Sequence, residues 1–451
     1  MQAVMATSTV KSYWTSYLKQ VAPASSLAWV RIIFGALMLI SCLRFIILGW
    51  VDAQYVAPRW HFTYQGFEWV ATLGSPGMYV VFSIMTLAAM GMMLGAWYRV
   101  SSVVFALLFT YVELIDKTYY LNHYYFVSIM AFMLAMLPAH RALSVDVWRK
   151  PELRVKAIPK WTLDAVKIQI GLVYVFAGIA KITVPWLIDA MPMRIWMPAN
   201  DTLPVVGWMM TIPWMPWVFS WMGMLYDLTI PFWLLNRTTR PFAYAAVVCF
   251  HTITGMMFQI GVFPLVMTGL TTVFFFSSRL NINDEVPSLP KHTYAPRFAT
   301  ASVPTIIGVV VAAHLCLQTL LPWRYLLTTN DMLWDEEGYR FGWRVMLMEK
   351  AGTATFSITD RNTGRVGYVD NAEFLNSHQE KQMAMQPDMI LQYAHMLHKE
   401  YSSRGVADPI VRVEAWVTLN GQPSKQLVNP SIDLSREQLA FGRNRWILAR
   451  Q

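Results

Sequence analysis

Nine runs of apolar residues dominate the first two-thirds of the chain, at 27–49, 77–97, 102–115, 122–138, 165–183, 216–235, 241–258, 262–278 and 302–321. Several fall short of the roughly 20 residues that a helix needs to cross a hydrocarbon core, and depend on tilt or on a polar turn at each end. The pattern predicts nine membrane-spanning helices, with eight as the alternative because 102–138 is nearly continuous. After Pro322 the material changes. Thr353–Thr359 and Arg365–Val369 alternate around Arg361-Asn-Thr-Gly364, a hairpin signal. Val411–Thr418 runs into Asn420-Gly421, a second one. Between them Asp388 to Tyr401 has the spacing of an amphipathic helix. The expected fold is therefore a membrane all-α bundle over residues 1–321, followed by a small, mainly β domain over 322–451.

Composition agrees with that class. The chain is 55% hydrophobic and 14% charged, against about 25% charged in soluble domains. Its 20 Trp, 20 Tyr and 24 Phe suit aromatic belts at the two membrane interfaces. The net charge of +9 is explained by placement in cytoplasmic loops, and no nucleic-acid partner is expected. Arg141, Arg149, Lys150, Arg154, Lys156 and Lys160 crowd one loop, and Lys11, Arg99, Arg237, Arg279, Lys291 and Arg297 fall on the same side. The opposite short loops hold only Arg59, Lys117 and Arg194. The positive-inside rule then puts the N-terminus in the cytoplasm and the C-terminal domain outside it. Met1 to Ser26 lacks a signal-peptide pattern, so the first apolar run is expected to be retained. Cys42, Cys249 and Cys316 lie inside apolar runs without metal-ligand spacing and read as core residues.

Candidate chemistry centres on Lys181, set in Gly171-Leu-Val-Tyr-Val-Phe-Ala-Gly-Ile-Ala-Lys181 without a nearby carboxylate. Burial disfavours its ammonium form, and a neutral amine in an apolar pocket is a base for an acidic, lipid-soluble substrate. The plainer reading is that it snorkels to the nearer interface. It stands about 16 residues, or roughly 24 Å, into its span. Asn122 and His123 open the fourth span from that same side, and His251 lies inside the seventh. Gly178, three residues before Lys181, is expected to leave space for a flat ligand. Plainer readings compete here too: a capping role for His123, an interhelical hydrogen bond for His251, and pairing of the intramembrane Asp227 with Arg44. Met90-Gly-Met-Met93 and Met256-Met257 read as packing. No Walker, Rossmann, His-Glu-x-x-His or Gly-x-Ser-x-Gly motif occurs, which leaves nucleotide, zinc-hydrolase and serine-hydrolase chemistry without local support. No metal site is expected.

Four stretches carry a resemblance to a known family: Ala89–Arg99, Asp116-Lys-Thr-Tyr-Tyr-Leu-Asn-His123, Val173–Lys181, and Phe250-His251 with Phe258-Gln-Ile-Gly-Val-Phe263. Leu321-Pro322, Thr363-Gly-Arg-Val-Gly-Tyr368 and Gln392-Tyr-Ala394 extend it through the tail. The chain resembles vitamin K-dependent gamma-glutamyl carboxylase, within the group named for its horizontally transferred transmembrane domain. The resemblance implies that Lys181 deprotonates reduced vitamin K, whose oxygenation to the epoxide, with O2, yields a strong base. That base removes a γ-proton from a glutamate in a peptide or protein, and the carbanion captures CO2. It implies a catalytic place for His123 and Asn122, which would hydrogen-bond the developing oxyanion, and a quinol-binding place for His251, Tyr174, Gly178 and Phe258.

Departures from the family pattern bear on the acceptor. Ala180 stands where the animal enzymes have a second lysine, and no cysteine is present for their disulfide between the first external loop and the lumenal domain. The chain ends at Gln451 without their long C-terminal extension, which weakens the expectation of propeptide-guided recognition. Three rival functions stand beside carboxylation. One is quinol oxygenation with another acceptor or none. Another is a transporter or proton pathway through Lys181, His251 and Asp227, against which no inverted repeat is present. The last is a non-catalytic maturation or immunity factor. The first external loop, Tyr55 to Glu68, and the β domain are expected to shape any peptide site.

Overall fold

Each apolar run carries a helix in the computed structural model, which describes residues 14–258, 260–276, 301–328, 331–442 and 444–450. The helices are α1 (Ala24–Ile47), α2 (Gly74–Leu94), α3 (Tyr98–Ile115), α4 (Asn122–Met136), α5 (Lys160–Ala180), α6 (Met215–Leu235), α7 (Arg240–Met257), α8 (Phe263–Thr271) and α9 (Thr305–Leu320). Among the described residues six are long and apolar enough to cross a membrane: α1, α2, α3, α5, α6, and α9 with the turn that continues it to Leu327. The expected nine crossings thus come down to six that length and composition support. The helices α4 and α8 fall short in length, and α7 in apolarity.

Close backbone approach holds the bundle together. A Cβ on Gly35 of α1 would stand 2.6 Å from the Met93 backbone nitrogen of α2, so only glycine allows that approach. Met92 beside it is fully buried while Met90 is exposed, so the methionine-rich run packs only in part.

One end of the bundle is tied by β1 (Val21–Pro23), antiparallel to β2 (Ala157–Pro159). At that end the Ala301 amide donates to Ala157 O at 3.0 Å, and the buried Arg31 guanidinium donates to Ala139 O at 3.1 Å. The described loops expected to be cytoplasmic therefore share one end. Lys11, Arg279, Lys291, Arg297 and the end of the 262–278 run lie outside the described residues.

The tail covers the other end. Its sheet has the order β4-β3-β5-β6, all antiparallel, from β3 (Lys350–Thr359), β4 (Val366–Tyr368), β5 (Ile410–Leu419) and β6 (Lys425–Gln426). Both expected hairpins are present. Val411, Val413, Ala415, Val417 and Leu419 alternate into the core, as a half-buried strand requires. The helices α10 (Ser377–Met383) and α11 (Pro387–Ser403) join the sheet, so the tail is a sheet-and-helix unit rather than a mainly β one. Met389, Ile390, Tyr393 and Leu397 of α11 are buried in the same core.

The first long loop enters that core. Phe62 is fully buried in it, and Trp60 stacks on Phe374 with ring centres 4.5 Å apart. Gln379 Nε2 donates to Trp60 O and to Asp116 Oδ2, each at 2.7 Å. Asp388 accepts from Lys117 Nζ and Arg340 Nη1, each at 2.8 Å. Burial alone pushes the Asp388 carboxyl up, but the two cations more than reverse it and hold it well below the usual carboxylate range.

Candidate functional site

Lys181 is the residue on which α5 ends, not one inside it. A helix C-terminus leaves carbonyl groups unpaired and carries partial negative charge. Lys181 Nζ uses this, donating to Ala177 O at 3.1 Å. It also donates to Asp227 Oδ2 of α6 at 2.8 Å, and the Trp186 ring centre lies 5.4 Å away. The lysine is 5% exposed and the aspartate 4%. This corrects two expectations at once. Lys181 has a carboxylate, and Asp227 pairs with it instead of Arg44, whose guanidinium lies 5.2 Å from the Trp50 ring centre.

Gly178 explains how the pair forms. A Cβ there would stand 2.8 Å from the Leu228 backbone nitrogen and 2.8 Å from Leu228 Cγ. The space expected for a flat ligand is filled by α6. Gly178 lets α5 and α6 approach, and Asp227, the residue before Leu228, is carried to Lys181. Tyr174 lies one turn before Gly178 on the same face of α5.

A second cluster holds the histidines. Tyr174 Oη and His251 Nε2 are 2.9 Å apart, both buried. The His251 ring meets Phe263 edge-on at 6.4 Å, and Phe263 in turn stacks on His123 at 4.9 Å. Phe263, the first residue of α8, thus joins the two histidines. Tyr226, next to Asp227, meets Tyr174 edge-on at 5.9 Å and links this cluster to the lysine pair. Among the described residues neither histidine hydrogen-bonds Lys181. Asn122 is engaged at both ends of its amide: Oδ1 accepts from Tyr120 Oη at 3.1 Å, and Nδ2 donates to Arg344 O at 2.8 Å. Phe258 stands apart from Lys181. It packs edge-on to Trp196 at 5.1 Å in a cluster with Met197, Met210, Met215 and Met257.

A cavity of about 440 Å³ opens where the first long loop meets the tail, lined among others by Tyr64, Phe67, Lys117, Arg340, Phe341, Asp388 and Phe441. Sequence reasoning placed a peptide site between these two segments. It missed the partnership of Lys181 with Asp227, although both are intramembrane charges of opposite sign on consecutive apolar runs. It also missed the turn-rich tail segment around Arg344, for which no local signal exists.

The HTTM domain family matches residues 19–279, more than half of the chain. The lumenal domain of vitamin K-dependent gamma-carboxylases matches residues 303–451. No solved structure matches the chain. The paired matches cover both the bundle that builds the lysine and histidine clusters and the tail that covers them. The chain belongs to the vitamin K-dependent gamma-carboxylase family, with its HTTM domain and its lumenal domain in sequence.

Proposed function

We propose that the protein is an integral-membrane enzyme that oxygenates reduced vitamin K to its epoxide and couples this to carboxylation of a glutamate in a peptide or protein. In this reading the N-terminus is cytoplasmic and the tail lies on the opposite side. The observation that carries it is the buried Lys181–Asp227 pair, set at the meeting of two helices beside the Trp186 ring and linked through Tyr226 and Tyr174 to His251.

The residues fit the group they would hold. Trp186, Phe263, Tyr226 and the two imidazoles offer flat apolar surface, and Lys181 offers a polar contact to a ring hydroxyl. When bound, reduced vitamin K supplies through its oxygenation the strong base that a glutamate γ-proton demands. Lys181 and Asp227 receive the proton that leaves the hydroxyl, and their 2.8 Å contact keeps it within the pair. Whichever of the two holds it, the lysine side stays the counter-charge for an oxyanion. His123, whose ring nitrogens make no hydrogen bond among the described residues, is the free donor of the second cluster, joined to the pair through Phe263, His251 and the two tyrosines. Asn122, with its amide engaged, positions the tail rather than the oxyanion. Burial excludes the water that would quench a strong base.

The test supplies the purified protein in nanodiscs with reduced vitamin K, oxygen, bicarbonate and a short glutamate peptide. Epoxide is followed by chromatography and carboxylation by peptide mass. Both products are expected. Epoxide alone defines a quinol oxygenase with another acceptor, and neither product from folded protein contradicts the proposal.

A further inference from the structure

The end of the bundle away from the tail gathers arginines that no acid pairs with. The helix α3 starts there at Tyr98 and runs about 27 Å to Ile115, beside the tail. Tyr98 stacks on His140 with ring centres 5.3 Å apart, and this brings their chain neighbours Arg99 and Arg141 to one place. Arg31 of α1 lies against the same turn, donating to the Ala139 and Leu143 carbonyls. It is fully buried, and its Nε has no hydrogen-bond partner. None of the three arginines forms an ion pair among the described residues.

The acid beside them is already committed. Asp146 Oδ1 accepts from the Trp97 amide at 2.8 Å and Oδ2 from the Tyr98 amide at 2.9 Å, which caps the start of α3. The buried His140 offsets nothing, because burial, with Arg99 and Arg141, pushes its imidazole down to about 4. Arg99 and Arg141 reach the surface. Each spends Nη1 on a backbone carbonyl, of Ala135 and of Leu153, and no other nitrogen of either meets an acceptor among the described residues.

Apolar side chains frame these cations. Trp97 is 66% exposed and Trp148 81%, Leu143 is exposed between them in the chain, and the Arg149 guanidinium lies 4.5 Å over the Trp97 ring. Exposed apolar groups clustered in this way mark a surface that meets another phase, and tryptophan suits the headgroup level of a bilayer. Unpaired guanidinium groups ringed by apolar surface are complementary to an anionic amphiphile. A planar guanidinium fork also matches two phosphate oxygens.

We propose that this corner seats the headgroup of an anionic phospholipid from the leaflet at that end. Arg99 and Arg141 hold its phosphate, and Trp97, Leu143 and Trp148 lie against its apolar part. Arg31 keeps the potential positive from within the bundle. The site stands at the opposite end from Lys181 and holds whether or not the carboxylase reading does.

The test reconstitutes the full chain in nanodiscs of equal parts phosphatidylglycerol and phosphatidylcholine. Lipids retained on release are counted by native mass spectrometry. The wild type is expected to retain phosphatidylglycerol above its share of the disc. Arg99→Gln and Arg141→Gln are each expected to lower that preference about fivefold. Arg237→Gln, with the same charge change at the same end, is expected to leave it unchanged. Arg149→Gln and Trp148→Ala, at exposed side chains, serve if the first two variants do not fold. A wild type that retains the lipids in the disc's proportions overturns the site, and so do folded variants that keep the preference. An equal loss in Arg237→Gln overturns it too, leaving only the general charge of that end. Thermal unfolding in detergent separates the sources of phosphate. Added phosphatidylglycerol is expected to raise the midpoint and inorganic phosphate to leave it unchanged, and the reverse would make a free anion the ligand and overturn the assignment.

Discussion

Gly178→Ala tests the geometry on which the lysine pair depends. The added methyl would stand 2.8 Å from the Leu228 nitrogen and 2.8 Å from Leu228 Cγ. Non-bonded carbon contacts settle at about 3.5–4.0 Å, so α6 must retreat by about 0.7 Å or more. Asp227 precedes Leu228 in the chain, and the retreat is felt at its contact with Lys181. A 2.8 Å hydrogen bond stretched to about 3.5 Å is at the edge of being one. Overpacking of this kind costs about 1–3 kcal/mol, and a misplacement approaching 1 Å at a reacting group can cost about 100-fold in rate. Thermal unfolding in nanodiscs and the initial rate of epoxide formation read the two effects. A lower unfolding temperature with a rate reduced about 100-fold is expected. A variant that melts and turns over like the wild type would refute the reasoning, because it would show that close approach of α5 and α6 does not set the pair.

Asp227→Asn removes the counter-ion of a buried lysine and is expected to cost about 3–5 kcal/mol of stability. The double variant Lys181→Met/Asp227→Leu should recover stability without activity, and a stable single variant would argue against the pair. His123→Phe keeps a ring against Phe263, so folding should hold while the epoxide rate falls about 100-fold or more. Full activity there removes the imidazole from the chemistry. The tail should loosen in acid. Asp388 has a folded value below the roughly 3.9 of a free aspartate, so its contribution is complete above about pH 5 and is lost as pH falls toward the folded value. Tryptophan fluorescence during acid titration should show Asp388→Asn losing this acid limb, and superimposable curves would contradict the network.

The bundle was legible because apolar runs announce helices whatever surrounds them, and the tail hairpins because Arg361-Asn-Thr-Gly364 and Asn420-Gly421 demand turns. The partner of Lys181 was not. Asp227 lies 46 residues away along the chain, and only the packing of α5 on α6 through Gly178 brings it near. Arg44 was an equal candidate by composition, yet the fold gives it Trp50. Helix length misleads as well: the apolar run 165–183 includes Lys181, but the helix ends one residue before it. The covering segment Tyr339–Leu347 has neither period nor glycine at its left-handed positions, so nothing local marks it. Its conformation is imposed by Tyr120, Asn122 and Tyr125 of the bundle.

The most direct measurement of the central claim compares epoxide formation by the wild type and by Lys181→Ala in one preparation. Both are reconstituted in nanodiscs, checked for folding, and given reduced vitamin K and oxygen. The Lys181–Asp227 account predicts epoxide from the wild type and a rate indistinguishable from background in the variant. Undiminished epoxide from folded Lys181→Ala would contradict it, and the proton acceptor would have to be sought elsewhere in the bundle.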